Sequence, residues 1–108
     1  MSHKTIKVLI VKPGQAPYAA EIPSTLESLQ SQVGGLIQAL YLQDAAIICN
    51  DEGKLIGLPL NRPLFDEDGN IYDVIAGTFL VVGLTEDDFG SLTEEQIQRY
   101  TDMFIWGF

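Results

Sequence analysis

Thr5-Ile6-Lys7-Val8-Leu9-Ile10-Val11-Lys12 is the stretch whose reading decides the fold class. Its β-branched and apolar residues are those of a β-strand. Ile6, Val8 and Ile10 share one face, while Lys7 and Leu9 take the other. Pro13-Gly14-Gln15-Ala16-Pro17 breaks the run with turn chemistry. Tyr18, Ala20 and Ile22 then alternate with Ala19 and Glu21, which predicts a second strand and an antiparallel hairpin. Ser24-Thr25-Leu26-Glu27 fits a capping box, with Ser24 as the N-cap and Glu27 reaching back to it. Leu26, Leu29 and Val33 recur at helical spacing, and Gly34-Gly35 is a natural stop.

Leu36 to Tyr41 reads in two ways: as a strand, or as a continuation of the helix through Leu36, Ile37 and Leu40. Two adjacent glycines inside a helix cost roughly 2 kcal/mol, which favours the strand. Ala46 to Cys49 is a short apolar strand, and Asn50-Asp51-Glu52-Gly53 predicts a hairpin turn into Lys54 to Leu58. A loop follows through Pro59, Pro63 and Asp66-Glu67-Asp68-Gly69-Asn70. Gly77 permits a bend before Thr78 to Leu84, a continuously apolar strand expected at the centre of the sheet. Thr93 is the expected N-cap of a last helix, with Glu94 and Glu95 in its first turn and Ile97, Tyr100 and Phe104 on its apolar face. The prediction is one α+β domain over residues 1–108. Its small mixed or antiparallel sheet opens with a β-hairpin and then a helix, and a C-terminal helix closes it. That opening resembles the ubiquitin-like β-grasp layout in element order alone, and a different small sheet packed by two helices begins the same way.

The chain has 108 residues, 46% hydrophobic and 19% charged, which suits a single folded domain able to bury its own core. No apolar run approaches the roughly twenty residues of a membrane span, and no signal-peptide pattern opens the sequence. The one cysteine, Cys49, has no internal partner, which suits a reducing cytoplasm. Six Lys and Arg face fifteen Asp and Glu, a formal net charge of -9. Residues 1–50 balance Lys4, Lys7 and Lys12 against Glu21, Glu27 and Asp44. The later half sets only Lys54, Arg62 and Arg99 against all the remaining acids. That field repels nucleic acid and anionic membranes. It serves solubility, or it attracts a protein with a basic surface, with Asp66, Glu67, Asp68, Glu86, Asp87 and Asp88 as the candidate contacts.

Catalytic chemistry finds little to work with. Cys49 lies in an apolar strand, and the only histidine, His3, precedes the first strand, so no Ser-His-Asp or Cys-His set forms without it. One Cys and one His make no transition-metal site. Asp66 to Asn70 resembles an acidic calcium loop, but the EF-hand places holding glycine and glutamate fall on Ile71 and Gly77. No phosphate-binding glycine motif is present, and no cofactor is expected. Asn61-Arg62, between Pro59 and Pro63, is the one cationic feature of note. Arg62 either pairs with Asp66 or Asp73 and holds its loop, or joins Asn61 in presenting a fork to a small anion. Met103-Phe104-Ile105-Trp106-Gly107-Phe108 is an apolar ending that closes the core, or offers Trp106 or Phe108 to a partner.

Five segments occur in order: Val33-Gly34-Gly35, Ile48 to Lys54, Leu58-Pro59-Leu60-Asn61-Arg62, Asp73 to Phe79, and Ser91 to Ile97. With them the chain resembles a family of short acidic proteins of gut bacteria, their phages and conjugative elements, known only as a domain of unknown function. The likeness covers nearly the whole chain, and the Asn61-Arg62 and Ile75-Ala76-Gly77 segments are its most specific parts. It implies a mobile-element setting, sometimes near anti-restriction genes, and no catalytic residue. The expected function is therefore a non-enzymatic acidic interaction domain of a phage or mobile element, an anti-defence inhibitor covering the basic surface of a nucleic-acid enzyme. The alternative is a nucleotide-like anion held by Asn61 and Arg62.

Overall fold

Alternation along the first strand places two apolar sets on opposite faces of one sheet, and each face acquires its own cover. The computed structural model describes residues 4–105. Strands β1 (Thr5–Val11) and β2 (Tyr18–Pro23) form the opening hairpin, and helix α1 (Leu26–Val33) follows. Then come β3 (Ile37–Tyr41), β4 (Ala45–Asn50), β5 (Leu60–Phe65), β6 (Ile71–Ala76), β7 (Phe79–Leu84), β8 (Phe89–Gly90) and helix α2 (Glu94–Met103). The main sheet runs β2-β1-β7-β4-β3, every pairing antiparallel, with the short β8 also beside β7. Strands β5 and β6 form a separate two-stranded ribbon.

Ile6, Val8, Ile10, Ala46, Ile48, Leu80 and Val82 face α1, where Leu29 packs on them. Leu9, Val11, Ala45, Ile47, Phe79 and Val81 face the other way, towards Leu64 and Ile75 of the ribbon and Tyr100 and Phe104 at the α2 end. The sheet is thus the middle layer of three. β7 lies at its centre, as its unbroken apolar run predicts. Leu36 to Tyr41 is the strand reading: Gly34 takes φ 79° and caps α1, so β3 starts cleanly three residues later.

Three expectations require correction. The N-cap of α1 is Thr25, not Ser24: Thr25 Oγ1 accepts from the Ser28 N–H at 3.1 Å. The Ser24 N–H is already committed to the Lys4 carbonyl at the sheet edge, so the helix starts one residue later. Lys54 to Leu58 is not a strand, because β3 and β7 occupy both edges of β4. That segment closes on itself instead, with the Leu58 N–H donating to the Gly53 carbonyl at 2.9 Å. Residues 60–65 are a strand rather than loop, paired with a further strand over 71–76, and Pro63 is tolerated because each strand of a two-stranded ribbon keeps a free edge. His3, Trp106 and Phe108 lie outside the described residues.

Candidate interaction surface

Two irregularities in the β5–β6 ribbon determine which side chains it buries and which it displays. Pairing jumps from Leu60 opposite Ala76 to Arg62 opposite Ile75, so Asn61 is an extra residue in a bulge. Consecutive strand residues normally face opposite ways, yet Asn61 and Arg62 are both buried. Asn61 Nδ2 donates to the carbonyls of Val11 and Gly77, each at 2.9 Å. Arg62 Nε donates to the Phe104 carbonyl at 2.8 Å, Nη1 to Asn61 Oδ1 at 2.7 Å and Nη2 to the Gln15 carbonyl at 2.6 Å. Burial alone lowers the arginine's proton affinity. Gly77 has φ 83°, and its N–H donates to the Pro59 carbonyl at 2.7 Å. This knot joins the end of β1, the ribbon, the bend into β7 and the C-cap of α2.

The expected ion pair of Arg62 with Asp66 or Asp73 does not form. Asp73 instead pairs with Lys54 Nζ, and that ammonium, with the Val74 N–H, holds the Asp73 carboxyl below its ordinary pKa. A second ion pair among the described residues joins Arg99 to Asp44. Asp44 also accepts from the Tyr100 hydroxyl, and its backbone carbonyl accepts from Gln96 Nε2 at 3.0 Å, which docks α2 on the β3–β4 turn. Asp44 is held below the usual carboxylate range, chiefly by the Tyr100 bond. Tyr100 is pushed up to about 12, first by burial and then by that same carboxylate.

A second bulge lies at the other end of the ribbon, where Leu64 opposes Asp73 but Phe65 opposes Ile71, leaving Tyr72 extra. Phe65, Ile71 and Tyr72 are all more than half exposed. They flank the turn Asp66-Glu67-Asp68-Gly69-Asn70, in which Asp66 Oδ1 accepts from the N–H groups of Asp68 and Asn70 at 2.9 Å. Glu86, Asp87 and Asp88 occupy a different turn, between β7 and β8, held by Thr85 Oγ1 accepting from the Asp88 N–H at 3.0 Å. The six candidate acids are exposed, and they lie on two different hairpin turns.

A cleft of about 360 Å³ opens between β3–β4 and β6, lined by residues including Gln38, Cys49, Asp51, Lys54 and Asp73. Cys49 is almost fully buried at its floor, and desolvation raises its thiol pKa, which opposes a thiolate nucleophile. No group of three or more His, Cys, Asp or Glu placed to hold a metal occurs among the described residues. No helix among them is long and apolar enough to cross a membrane.

A family profile described as a domain of unknown function, DUF3846, matches residues 6–105. The chain belongs to that family. No curated protein and no solved structure gives a match. The two segments that best carry the resemblance meet in this DUF3846 fold: Asn61 reaches the Gly77 carbonyl, and Arg62 pairs with Ile75. Their donors are spent on carbonyls inside the fold, so an anion at Asn61 and Arg62 would have to displace those bonds. Sequence reading passed over Phe65, Ile71 and Tyr72. The signal was there: three large apolar residues crowd a five-residue acidic turn that a buried hairpin would not carry.

Proposed function

We propose that this DUF3846 chain is a non-enzymatic interaction domain that presents its acidic hairpins to a basic surface on a partner protein. The observation carrying this reading is the tip of the β5–β6 ribbon, where exposed Phe65, Ile71 and Tyr72 surround Asp66, Glu67 and Asp68. Exposed Phe65 and Tyr72 are the kind of aromatic anchor that interfaces favour, and the acids between them supply the charge that would select a basic partner. The cations of the later half are already engaged: Lys54 and Arg99 in ion pairs, Arg62 in the knot. They do not offset the acids at the two turns. A surface that normally holds nucleic acid is the complementary chemistry, and on that ground we propose an anti-defence role in a mobile element.

The test is capture from bacterial lysate by the tagged protein, eluted in salt steps. A basic protein released at moderate salt is expected. It should be lost when Asp66, Glu67, Asp68, Glu86, Asp87 and Asp88 become Asn or Gln, and weakened by Phe65→Ala with Tyr72→Ala. Undiminished capture by the charge-neutralised protein would remove the acidic turns from recognition.

A further inference from the structure

The two edges of the main sheet are finished differently. β2 carries Glu21 and ends in Pro23, devices that discourage strand addition. β3, Ile37-Gln38-Ala39-Leu40-Tyr41, has neither charge nor proline nor bulge. The Asp51 N–H donates to the Leu36 carbonyl at 2.8 Å, and the Leu42 N–H to the Ala45 carbonyl at 2.8 Å. The antiparallel alternation between those bonds turns Gln38 and Leu40 towards β4. It leaves the N–H and C=O groups of Ile37, Ala39 and Tyr41 pointing off the sheet. None of these meets a backbone partner among the described residues.

We infer that β3 is a homodimer interface, pairing antiparallel with β3 of a second copy about a two-fold axis at Ala39. Charge selects the occupant. The sequence has no Asp, Glu, Lys or Arg from Ser28 through Gln43, its longest uncharged stretch, and this stretch supplies most of α1 and all of β3. Two copies each carrying -9 repel through the acidic later half, so an uncharged edge within the charge-balanced first half is where they can meet. A basic partner is drawn instead to the acidic turns. The edge is also self-complementary, as a two-fold interface must be. With Ala39 facing Ala39, Ile37 of one protomer falls opposite Tyr41 of the other, and each outward N–H meets an outward carbonyl. Tyr41, 69% exposed, and Leu36, 63% exposed, at the two ends of the strand gain cover in that arrangement.

Sedimentation of the purified protein over a hundredfold concentration range, with amide hydrogen exchange, tests this. The expected result is twice the chain mass at high concentration, with exchange at Ile37, Ala39 and Tyr41 slowed at least about tenfold against the dilute protein. Ala39→Pro removes an N–H that the monomer does not use and should give the monomer mass. Ala19→Pro, the equivalent change on the β2 edge, should leave the dimer intact. If Ala39→Pro fails to fold, Tyr41→Lys places a charge in the interface and must likewise dissociate it. A monomer at all concentrations overturns the inference. So does a dimer whose Ile37, Ala39 and Tyr41 amides exchange freely. No partner protein enters this experiment, so its failure leaves the acidic-surface reading to its own test.

Discussion

The two faces of the central sheet are closed by different physics. On the α1 face, Leu29 packs on Ile6, Val8, Ile48 and Leu80, and one side-chain bond, Asn50 Nδ2 to the Val33 carbonyl at 3.1 Å, pins the helix end. On the other face, α2 and the β5–β6 ribbon share the cover, and the Asn61–Arg62 knot ties them together. Phe79 and Phe104 meet edge to face there with centroids 5.2 Å apart, and the Phe104 carbonyl is the acceptor for Arg62 Nε. The first face is non-directional and tolerant of apolar exchange. The second depends on a planar cation aimed at named carbonyls, and it should be much less forgiving.

The sharpest way to break that contrast is at Arg62. Arg62→Met keeps much of the apolar stem but leaves the Phe104 and Gln15 carbonyls and Asn61 Oδ1 without their donor. Gln15 is exposed and its carbonyl can turn to water, but the other two acceptors are buried; each costs about 1–3 kcal/mol when left unpaired, so the loss should be at least about 2 kcal/mol in urea unfolding. Arg62→Lys should rescue little, since an ammonium cannot direct three bonds in one plane. Equal stability of Arg62→Met and the parent would mean that the knot is incidental.

A smaller effect is expected on the α1 face. Leu29→Ala should cost about 2–4 kcal/mol through lost burial and the cavity left behind, whereas Leu29→Met should cost under about 1.5 kcal/mol. If Leu29→Met proved as damaging as Leu29→Ala, the α1 face would be as shape-specific as the other, and the contrast would fail.

The same contrast explains what could be read in the sequence. Apolar periodicity marked β1, β2, α1, β4, β7 and the face of α2, because burial along a regular element leaves a repeating pattern. The β5–β6 ribbon left none. Its bulges at Asn61 and Tyr72 break the period of two, and Pro63 argues against a strand unless the ribbon stands apart from the main sheet. Arg62 looked like an ion-pairing or ligand-binding cation because sequence order set it near Asp66. Its acceptors, the Gln15 and Phe104 carbonyls, come from distant parts of the chain and carry no side-chain signal. The six acids were legible as a charge imbalance, and the strand between Asp68 and Glu86 already divided them into two turns; what left no signal was the pair of bulged strands that carries the first turn.

At neutral pH the smallest expected effect is on the outer rim of the second face, where α2 docks on Asp44, and pH separates that contact from the knot. Tyr100 is pushed up to about 12. Unfolded tyrosine ionises near pH 10. Below pH 10 both states keep the phenolic proton, and the contribution of Tyr100 is fully present. Between about pH 10 and 12 the unfolded chain loses that proton while the folded chain retains it, so stability falls as pH rises. Asp44 works in the opposite direction. Its folded pKa is lowered, so its contribution is present above the unfolded carboxylate value and disappears as pH falls through the folded one. Tyr100→Phe should therefore lower stability near pH 7, where both contributions are present, and should flatten the alkaline limb of a melting-temperature profile and lessen the acid-side loss. Arg62→Met should lower the whole profile without changing the shape of either limb. If Tyr100→Phe leaves the acid-side loss as large as in the parent, the Tyr100–Asp44 bond does not hold α2 to the β3–β4 turn.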